Sequence, residues 1–317
     1  MSEFDLINQF FKTSPVQRND VLLGIGDDCA ILSPPPGKSL AVSTDTLISG
    51  VHFPESTRAE DIGYKSLAVN LSDLAAMGAE PAWVSLAISL PEANEKWLCD
   101  FMRGFNELAK KHNVALIGGD TTQGALSISV TITGFIESEN SLKRSQAKIG
   151  DSIFVTGSIG DATIGLDIVL NKRQPNSSLK YCIQRLNRPQ PQVKAGRLLS
   201  DFSVAAIDIS DGVIADLSHI CKASKVGASI NIEQLPLSAS TLDFYNQKPD
   251  WQTILSGGDD YELCFTCAEK DVSEIKKRMK LNDINITCIG KVTAGSNVKC
   301  YLNNELITLN KIGYNHF

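Results

Sequence analysis

The run Val21-Leu22-Leu23-Gly24-Ile25-Gly26-Asp27-Asp28 carries the pattern from which the fold is read. Its apolar start reads as the end of a buried strand. Two glycines let the backbone turn sharply, and two adjacent carboxylates then stand where strand gives way to loop. Neighbouring carboxylates repel, so a protein that keeps them together usually supplies a cation. The same grammar recurs in Thr44-Asp45 after Leu40-Ala41-Val42, and in Gly118-Gly119-Asp120 after a strand over 114–117. It appears again in Asp208-Ile209-Ser210-Asp211-Gly212 and in Gly257-Gly258-Asp259-Asp260. In α/β folds the carboxyl ends of strands are where ligand sites gather.

Working outward, 3–12 reads as a short amphipathic helix with Phe4, Ile7, Phe10 and Phe11 on one side. Helical spacing over 62–77 stops at Gly78, with Pro81 beyond. A strand over 83–90 and a long helix over 92–112 follow. The segment 126–136 alternates Ser/Thr with Ile/Val and is the clearest strand in the chain. Composition turns polar over 137–145, which marks a domain boundary. Beyond it, strands are expected at 152–156, 204–209, 228–232, 261–267, 286–292 and 298–302. Helices are expected near 161–171, 179–187, 190–200, 213–225, 239–246 and 270–280. The fold class is therefore two mixed α/β domains, 1–137 and 138–317.

The 317 residues suit two cores, and 43% hydrophobic with 21% charged residues is ordinary for a soluble globular protein. No run of about 18 apolar residues is present, so no membrane span is expected. The opening Met1-Ser2-Glu3-Phe4-Asp5 lacks the basic-then-apolar layout of a signal peptide, and the cytoplasm is the expected compartment. A net charge of −6 argues against a nucleic-acid surface. The eight cysteines show no framework spacing. Cys264 and Cys267 form a C-x-x-C within a strand, where their odd separation sends the thiols to opposite faces, so they read as core residues.

Oxygen ligands without a Cys/His cluster fit Mg²⁺ or Mn²⁺, and Mg²⁺ is typically held by one or two carboxylates plus substrate phosphates. Several such loops suggest several metals around a polyphosphate. Asp73 adds to the set, since it lies among apolar and small neighbours and shares a helical face with Asn70 and Met77. Alternatively, Ser72 or Asp73 is the N-cap of a new helix. No P-loop and no protein-kinase H-R-D or D-F-G is present. The glycines of 157–165 could present N–H groups to a phosphate at a helix start, or could simply form a tight turn.

Taken together, the motifs resemble the thiamine-monophosphate kinase family, in the superfamily that includes aminoimidazole ribonucleotide synthetase. The resemblance is carried in order by Gly24-Ile-Gly-Asp-Asp-Cys-Ala30, Ser43-Thr-Asp-Thr46, Gly50-Val-His-Phe53 and Asn70-Leu-Ser-Asp-Leu-Ala-Ala-Met-Gly78. It continues in Gly118-Gly-Asp-Thr-Thr122, Asp208-Ile-Ser-Asp-Gly212, Ser256-Gly-Gly-Asp-Asp-Tyr-Glu-Leu263 and Gly313-Tyr-Asn-His-Phe317. It implies phosphorylation of thiamine monophosphate by ATP, with several Mg²⁺ ions, by direct in-line transfer. It also implies a homodimer formed through the sheet of the N-terminal domain, and a C-terminal domain that closes over the nucleotide. By position, Asp27, Ser43, Thr44, Asp45, Asp73, Asp120, Asp208 and Asp211 would serve the metals, with Asp45, Asp120 and Asp211 central to catalysis. Gly119, Asp120, Arg144 and Ser210 would meet ATP, while His52, Glu262 and Tyr314 would meet the thiamine substrate. In the opening loop Asp27 is the expected ligand, and Asp28 the residue that caps backbone N–H groups.

The chemistry agrees with the residues. A phosphate oxygen is already ionised at neutral pH, so the nucleophile needs no base; charge neutralisation and alignment are the task. The chain departs from the family at Met102, where an aromatic is common, and at Ser49, where an acid is common. Other ATP-using members of the superfamily are alternatives. A selenophosphate synthetase would carry a reactive Cys or Sec beside a Lys before Gly24, and the hydrogenase-maturation relative a functional terminal Cys. A non-catalytic nucleotide or metal sensor is the alternative from another class.

Overall fold

The computed structural model describes residues 3–12, 15–171 and 177–315. The side chain of Phe4, and His316 and Phe317 of the terminal motif, lie outside them. Two compact units are present: Met1–Leu74 with Ala79–Ser138, and Ala75–Gly78 with Glu139–Phe317.

The first unit opens with α1 (Glu3–Leu6), which widens into a turn over Ile7–Phe11 that buries Phe10 and Phe11. An arm follows, made of β1 (Val21–Leu23) paired with β2 (Ile31–Leu32). The main sheet contains β3 (Ser39–Ile48), β4 (Glu80–Leu90), β5 (Ala115–Gln123) and β6 (Ser127–Ile136), in the order β3-β6-β4-β5. Only the β4–β5 pairing in this sheet is parallel. Residues opposite each other across a ladder share a face. Leu47, Ile128 and Ile88 therefore stand on one side with Val130 and Leu86, all buried. That side is covered by α2 (Ala59–Ala76), and α3 (Glu95–His112) adds Phe101 and Phe105 to the buried set. The other side carries Thr44, Thr46, Ser129, Thr131 and Ala87 and is largely open. At one end the arm closes it: Val16, Val21 and Leu32 pack on Trp83, Ala115 and Phe135, and Trp83 Nε1 donates to Asp20 at 2.9 Å.

Three expectations change here. The run Val21-Leu22-Leu23 is no buried strand, because it pairs with β2 alone and leaves Leu22 65% exposed. Asp45 and Asp120 are not in loops after strands but inside β3 and β5. Their polar flanks look loop-like because one face of the sheet is uncovered and needs no apolar residues. Finally, α2 runs unbroken through Ser72 and Asp73, which removes the N-cap alternative.

The second unit is built on a seven-stranded sheet ordered β13-β12-β9-β11-β7-β10-β8. Its strands are β7 (Ser152–Thr156), β8 (Ala205–Asp208), β9 (Gly227–Asn231), β10 (Leu263–Cys267), β11 (Ile286–Thr293), β12 (Val298–Leu302) and β13 (Glu305–Ile307). Among the described residues seven α-helices accompany it: α4 (Asp161–Leu170), α5 (Ser177–Asn187), α6 (Val193–Leu199), α7 (Val213–Ser224), α8 (Ala239–Phe244), α9 (Trp251–Ser256) and α10 (Glu269–Leu281). Ile153, Val155, Ile207, Leu217, Ile230 and Cys264 belong to one large core cluster. Cys264 and Cys267 are free and fully buried on β10, and burial pushes the Cys267 thiol up to about 12, so neither is a reactive pair. Among the described residues no helix is long and apolar enough to cross a membrane.

Candidate active site

In the first unit a cleft of about 550 Å³ is lined by Gly26, Asp27, Asp28 and Cys29 from the acidic loop and by Gly118, Gly119 and Asp120 from β5. Lys12, on the same wall, is the cation of its lining. Asp27 accepts the N–H of Asp28 on Oδ1 at 2.9 Å, so the capping part expected of Asp28 falls to Asp27. Gly119 sits directly opposite Leu86 with φ of 153°. A Cβ there would fall 1.8 Å from the Leu86 carbonyl oxygen, so only glycine lets β5 lie against β4 where Asp120 follows.

The sheet sorts the remaining acids by face. Ser43 and Asp45 alternate toward the covered side, where the Ser43 hydroxyl donates to Asp73 of α2. Thr44 points to the open side, and its hydroxyl pairs with that of Thr131 at 2.8 Å, so its side chain faces away from Ser43, Asp45 and Asp73. Asp120 stands on the open side in line with Ala87, Ser129 and Thr46. Asp45 and Asp120 thus occupy opposite faces and opposite edges of the sheet, about 14 Å apart across three strand spacings. His52 follows β3; its Nδ1 accepts the N–H of Ile48 at 3.0 Å, which leaves the proton of a neutral ring on Nε2.

In the second unit Asp208 ends β8, and the loop 209–212 leads into α7. Asp216, buried at 2% exposure, takes the N–H groups of Ser210, Asp211 and Gly212 on one oxygen, each at 3.1 Å. Burial, with Asp208 and Asp211 close by, lifts its pKa to about 7 against those hydrogen bonds. The loop's carbonyls are equally engaged: Ile209 by Tyr261 N–H at 2.8 Å, Ser210 by Asp259 at 2.9 Å and Asp211 by Tyr314 at 3.0 Å. With its main chain satisfied, this loop is a rigid platform for Asp208, Ser210 and Asp211. Tyr314 is 45% exposed beside it, and the Arg144 side chain is exposed on its own short helical turn.

Glu262, expected to touch the substrate, is 2% exposed and turned inward. Arg185 Nη2 lies 2.7 Å from its carboxylate and Thr156 Oγ1 donates to it at 2.6 Å. The same Arg185 atom donates to the Asp260 carbonyl at 3.3 Å, and the Asp260 carboxylate accepts the N–H of Gly160 at 2.9 and 3.1 Å. Burial raises the pKa of both Asp260 and Glu262, and Arg185 opposes it. Three N–H groups of 157–160 are already taken and leave the phosphate-cradle reading only the first turn of α4: that of Gly157 goes to Asn285, that of Ile159 to Pro236 and that of Gly160 to Asp260. Asp259 and Tyr261 have φ of 68° and 50°, backbone strain held in place by this packing.

Asp216 and Arg185 were missed in the sequence. An acid in the first turn of a helix after Asp-Ile-Ser-Asp-Gly could have been noticed for Asp216. Nothing local marks Arg185, whose partner Glu262 lies 77 positions away. Among the described residues no group of three or more His, Cys, Asp or Glu side chains is arranged to hold a metal by itself.

Comparison with known proteins gives a consistent result. The family model of AIR synthase related protein, N-terminal domain, matches residues 26–136, and that of the C-terminal domain matches 148–303. The thiamine-monophosphate kinase of Escherichia coli (strain K12) is 45% identical over 318 residues, covering 99% of this chain and 98% of that protein. The crystal structure of thiamine-monophosphate kinase from Stenotrophomonas maltophilia K279a is 44% identical with a TM-score of 0.89, over 97% of this chain and 98% of that one. The complex of AaThiL with AMPPCP and TMP is 32% identical with a TM-score of 0.79, over 99% and 97%. With matches of this identity over its whole length, the chain belongs to the AIR synthase related family and, within it, to the thiamine-monophosphate kinases.

Proposed function

We propose that this protein transfers the γ-phosphoryl group of ATP to thiamine monophosphate, giving thiamine diphosphate. The observation that carries the reading is the whole-length likeness to thiamine-monophosphate kinases, including a complex with AMPPCP and TMP. The acceptor is a phosphate oxygen that is ionised at neutral pH, and the residues suit a reaction governed by alignment and charge rather than by a base.

The donor set fits Mg²⁺. The candidate ligands are hard oxygens in small groups: Asp27 with Asp120 on one cleft, Ser43 and Asp45 with Asp73, and Asp208 with Asp211. No preassembled cage is present among the described residues, which suits an ion that arrives with phosphates and keeps only one or two protein carboxylates. When bound, Mg²⁺ supplies neutralisation of phosphate charge. Arg144 and the main chain at Gly119 contact ATP, Ser210 presents its hydroxyl from the rigid loop, and Tyr314 offers a stacking face to the thiamine heterocycle. Glu262 acts from beneath, holding the loop before β10.

The reading includes a homodimer through the open sheet face, where Leu40, Val42 and Ile48 are exposed. The test is to incubate the protein with ATP, Mg²⁺ and thiamine monophosphate and to follow thiamine diphosphate and ADP. Stoichiometric appearance of both is expected. ATP turnover without thiamine diphosphate would overturn the reading in favour of another superfamily enzyme, and nucleotide binding without turnover in favour of a sensor.

A further inference from the structure

In the second unit the stretch 308–315 belongs to no helix or strand; Leu309 packs against the core of the unit, and the residues after it are held at three further points. Gln252 on α9 holds it with both ends of its amide. Nε2 donates to the Lys311 carbonyl at 2.8 Å, and Oε1 accepts the N–H of Asn310 at 2.7 Å. Gly313 then lies against α7, where a Cβ would come within 2.4 Å of the Ala215 Cβ and 2.9 Å of the Asp211 carbonyl. Finally Tyr314 donates its N–H to that Asp211 carbonyl at 3.0 Å.

The bond from Tyr314 to Asp211 is a main-chain bond beside a half-exposed aromatic, and such a bond contributes about 0.5–1.5 kcal/mol net. Between the Gln252 grip and Tyr314 lie Ile312, which is 55% exposed, and Gly313, which has no side chain and packs through its backbone. The amide of Gln252 offers the paired donor and acceptor that a neighbouring strand would offer, and it does so from a helix fixed by the buried Ile254 and Leu255. It therefore sets how far the end of the strap can wander from the acidic loop.

We propose that Gln252 is a positioning residue for the substrate site. It fastens the 310–315 strap so that Tyr314 stays beside Asp211 and meets the heterocycle of thiamine monophosphate. The inference rests on the function proposed above, in which Tyr314 touches that substrate.

The test compares Gln252→Ala, Tyr314→Ala and the double variant, using the full-length protein. Gln252→Ala is expected to raise the KM for thiamine monophosphate about tenfold, as two hydrogen bonds of ordinary strength allow. The KM for ATP and kcat should stay within about twofold. Gln252→Ala should add nothing in the Tyr314→Ala background, since the two act as one unit. Hydrogen exchange of the C-terminal peptide, read without substrate, should accelerate in Gln252→Ala. An unchanged KM, losses that multiply in the double variant, or unchanged exchange would each overturn the inference. If the wild-type protein makes no thiamine diphosphate, the proposed function fails there, and the hold of Gln252 on the strap is then decided by exchange alone.

Discussion

Replacing Arg185 by Met tests whether the buried ion pair under the Gly257–Asp260 loop holds the second unit together. Arg185 and Glu262 are 10% and 3% exposed at their side chains and 2.7 Å apart. Removing one partner of a buried pair costs about 3–5 kcal/mol, because the other charge is left in a poor solvent. Glu262 would keep the hydroxyl of Thr156 and Asp260 the N–H of Gly160, and Met restores the apolar stem, so the lower end applies. About 3 kcal/mol corresponds to a fall of about 6–12 °C in the melting temperature of a unit this size.

The loss should depend on pH, and its sign is fixed. Burial raises the folded pKa of Asp260 and Glu262 above the unfolded values. A carboxyl raised in this way adds stability that is full at acid pH and is lost as pH climbs through the folded value. Without Arg185 the raise is larger. The deficit of the variant should therefore be smallest at acid pH and grow as the pH rises. Thermal unfolding followed by circular dichroism at several pH values measures it, and Arg185→Met combined with Glu262→Gln should recover most of the loss, since a neutral amide needs no counter-charge. A single variant within about 1 kcal/mol of wild type at alkaline pH, with a flat difference across pH, would refute the reasoning.

Three further outcomes are expected. Asp45→Asn and Asp120→Asn should each cut turnover at least about tenfold with the fold intact by circular dichroism. If each site draws Asp45 from one copy and Asp120 from the other, unfolding and refolding an equal mixture of the two variants should restore about a quarter of wild-type activity; no recovery means each chain holds its own set. His112 at the end of α3 is kept neutral, its pKa brought down to about 4 by burial and then by Lys111. Between the unfolded value and that one, falling pH protonates the unfolded chain first, so wild type should lose as much as about 3 kcal/mol that His112→Gln does not, in denaturant titrations from about pH 7 to pH 4. Asp216→Leu frees three N–H groups, that of Gly212 in a buried bond, and should lower both stability and turnover, whereas Asp211→Asn should lower turnover with stability kept; equal stability losses in the two would remove the platform role given to Asp216.

Much of this was legible from periodicity. The Ser/Thr–Ile/Val alternation of 126–136 gives β6 (Ser127–Ile136), and the 3.6-residue spacing of 62–77 gives most of α2. The in-strand acids were misplaced for a physical reason. A polar run such as Ser43-Thr44-Asp45-Thr46 looks like a loop when burial on both faces is assumed, and this sheet has one face uncovered. Burial of Glu262 was invisible because it depends on Arg185 and Thr156, 77 and 106 positions away. Acidity is written at each position; the direction in which an acid points is set by ladder register, which one residue of slip would reverse.

The location of the strain follows from the same division. The loop 209–212 has its N–H groups on Asp216 and on the Glu262 carbonyl, and its carbonyls on Asp259, Tyr261 and Tyr314. Two of those donors, Asp259 and Tyr261, hold φ values that non-glycine residues avoid. Each such conformation costs about 1–3 kcal/mol and persists only where surrounding contacts impose it. Here the imposing contacts are Arg185, Thr156 and Gly160, none of them an acid of the candidate site. Crowded carboxylates on a soft loop would move apart until their repulsion was relieved. Fixing the main chain from outside the acidic set keeps Asp208 and Asp211 near each other before any cation arrives, so the energy of holding them is met by folding rather than by binding.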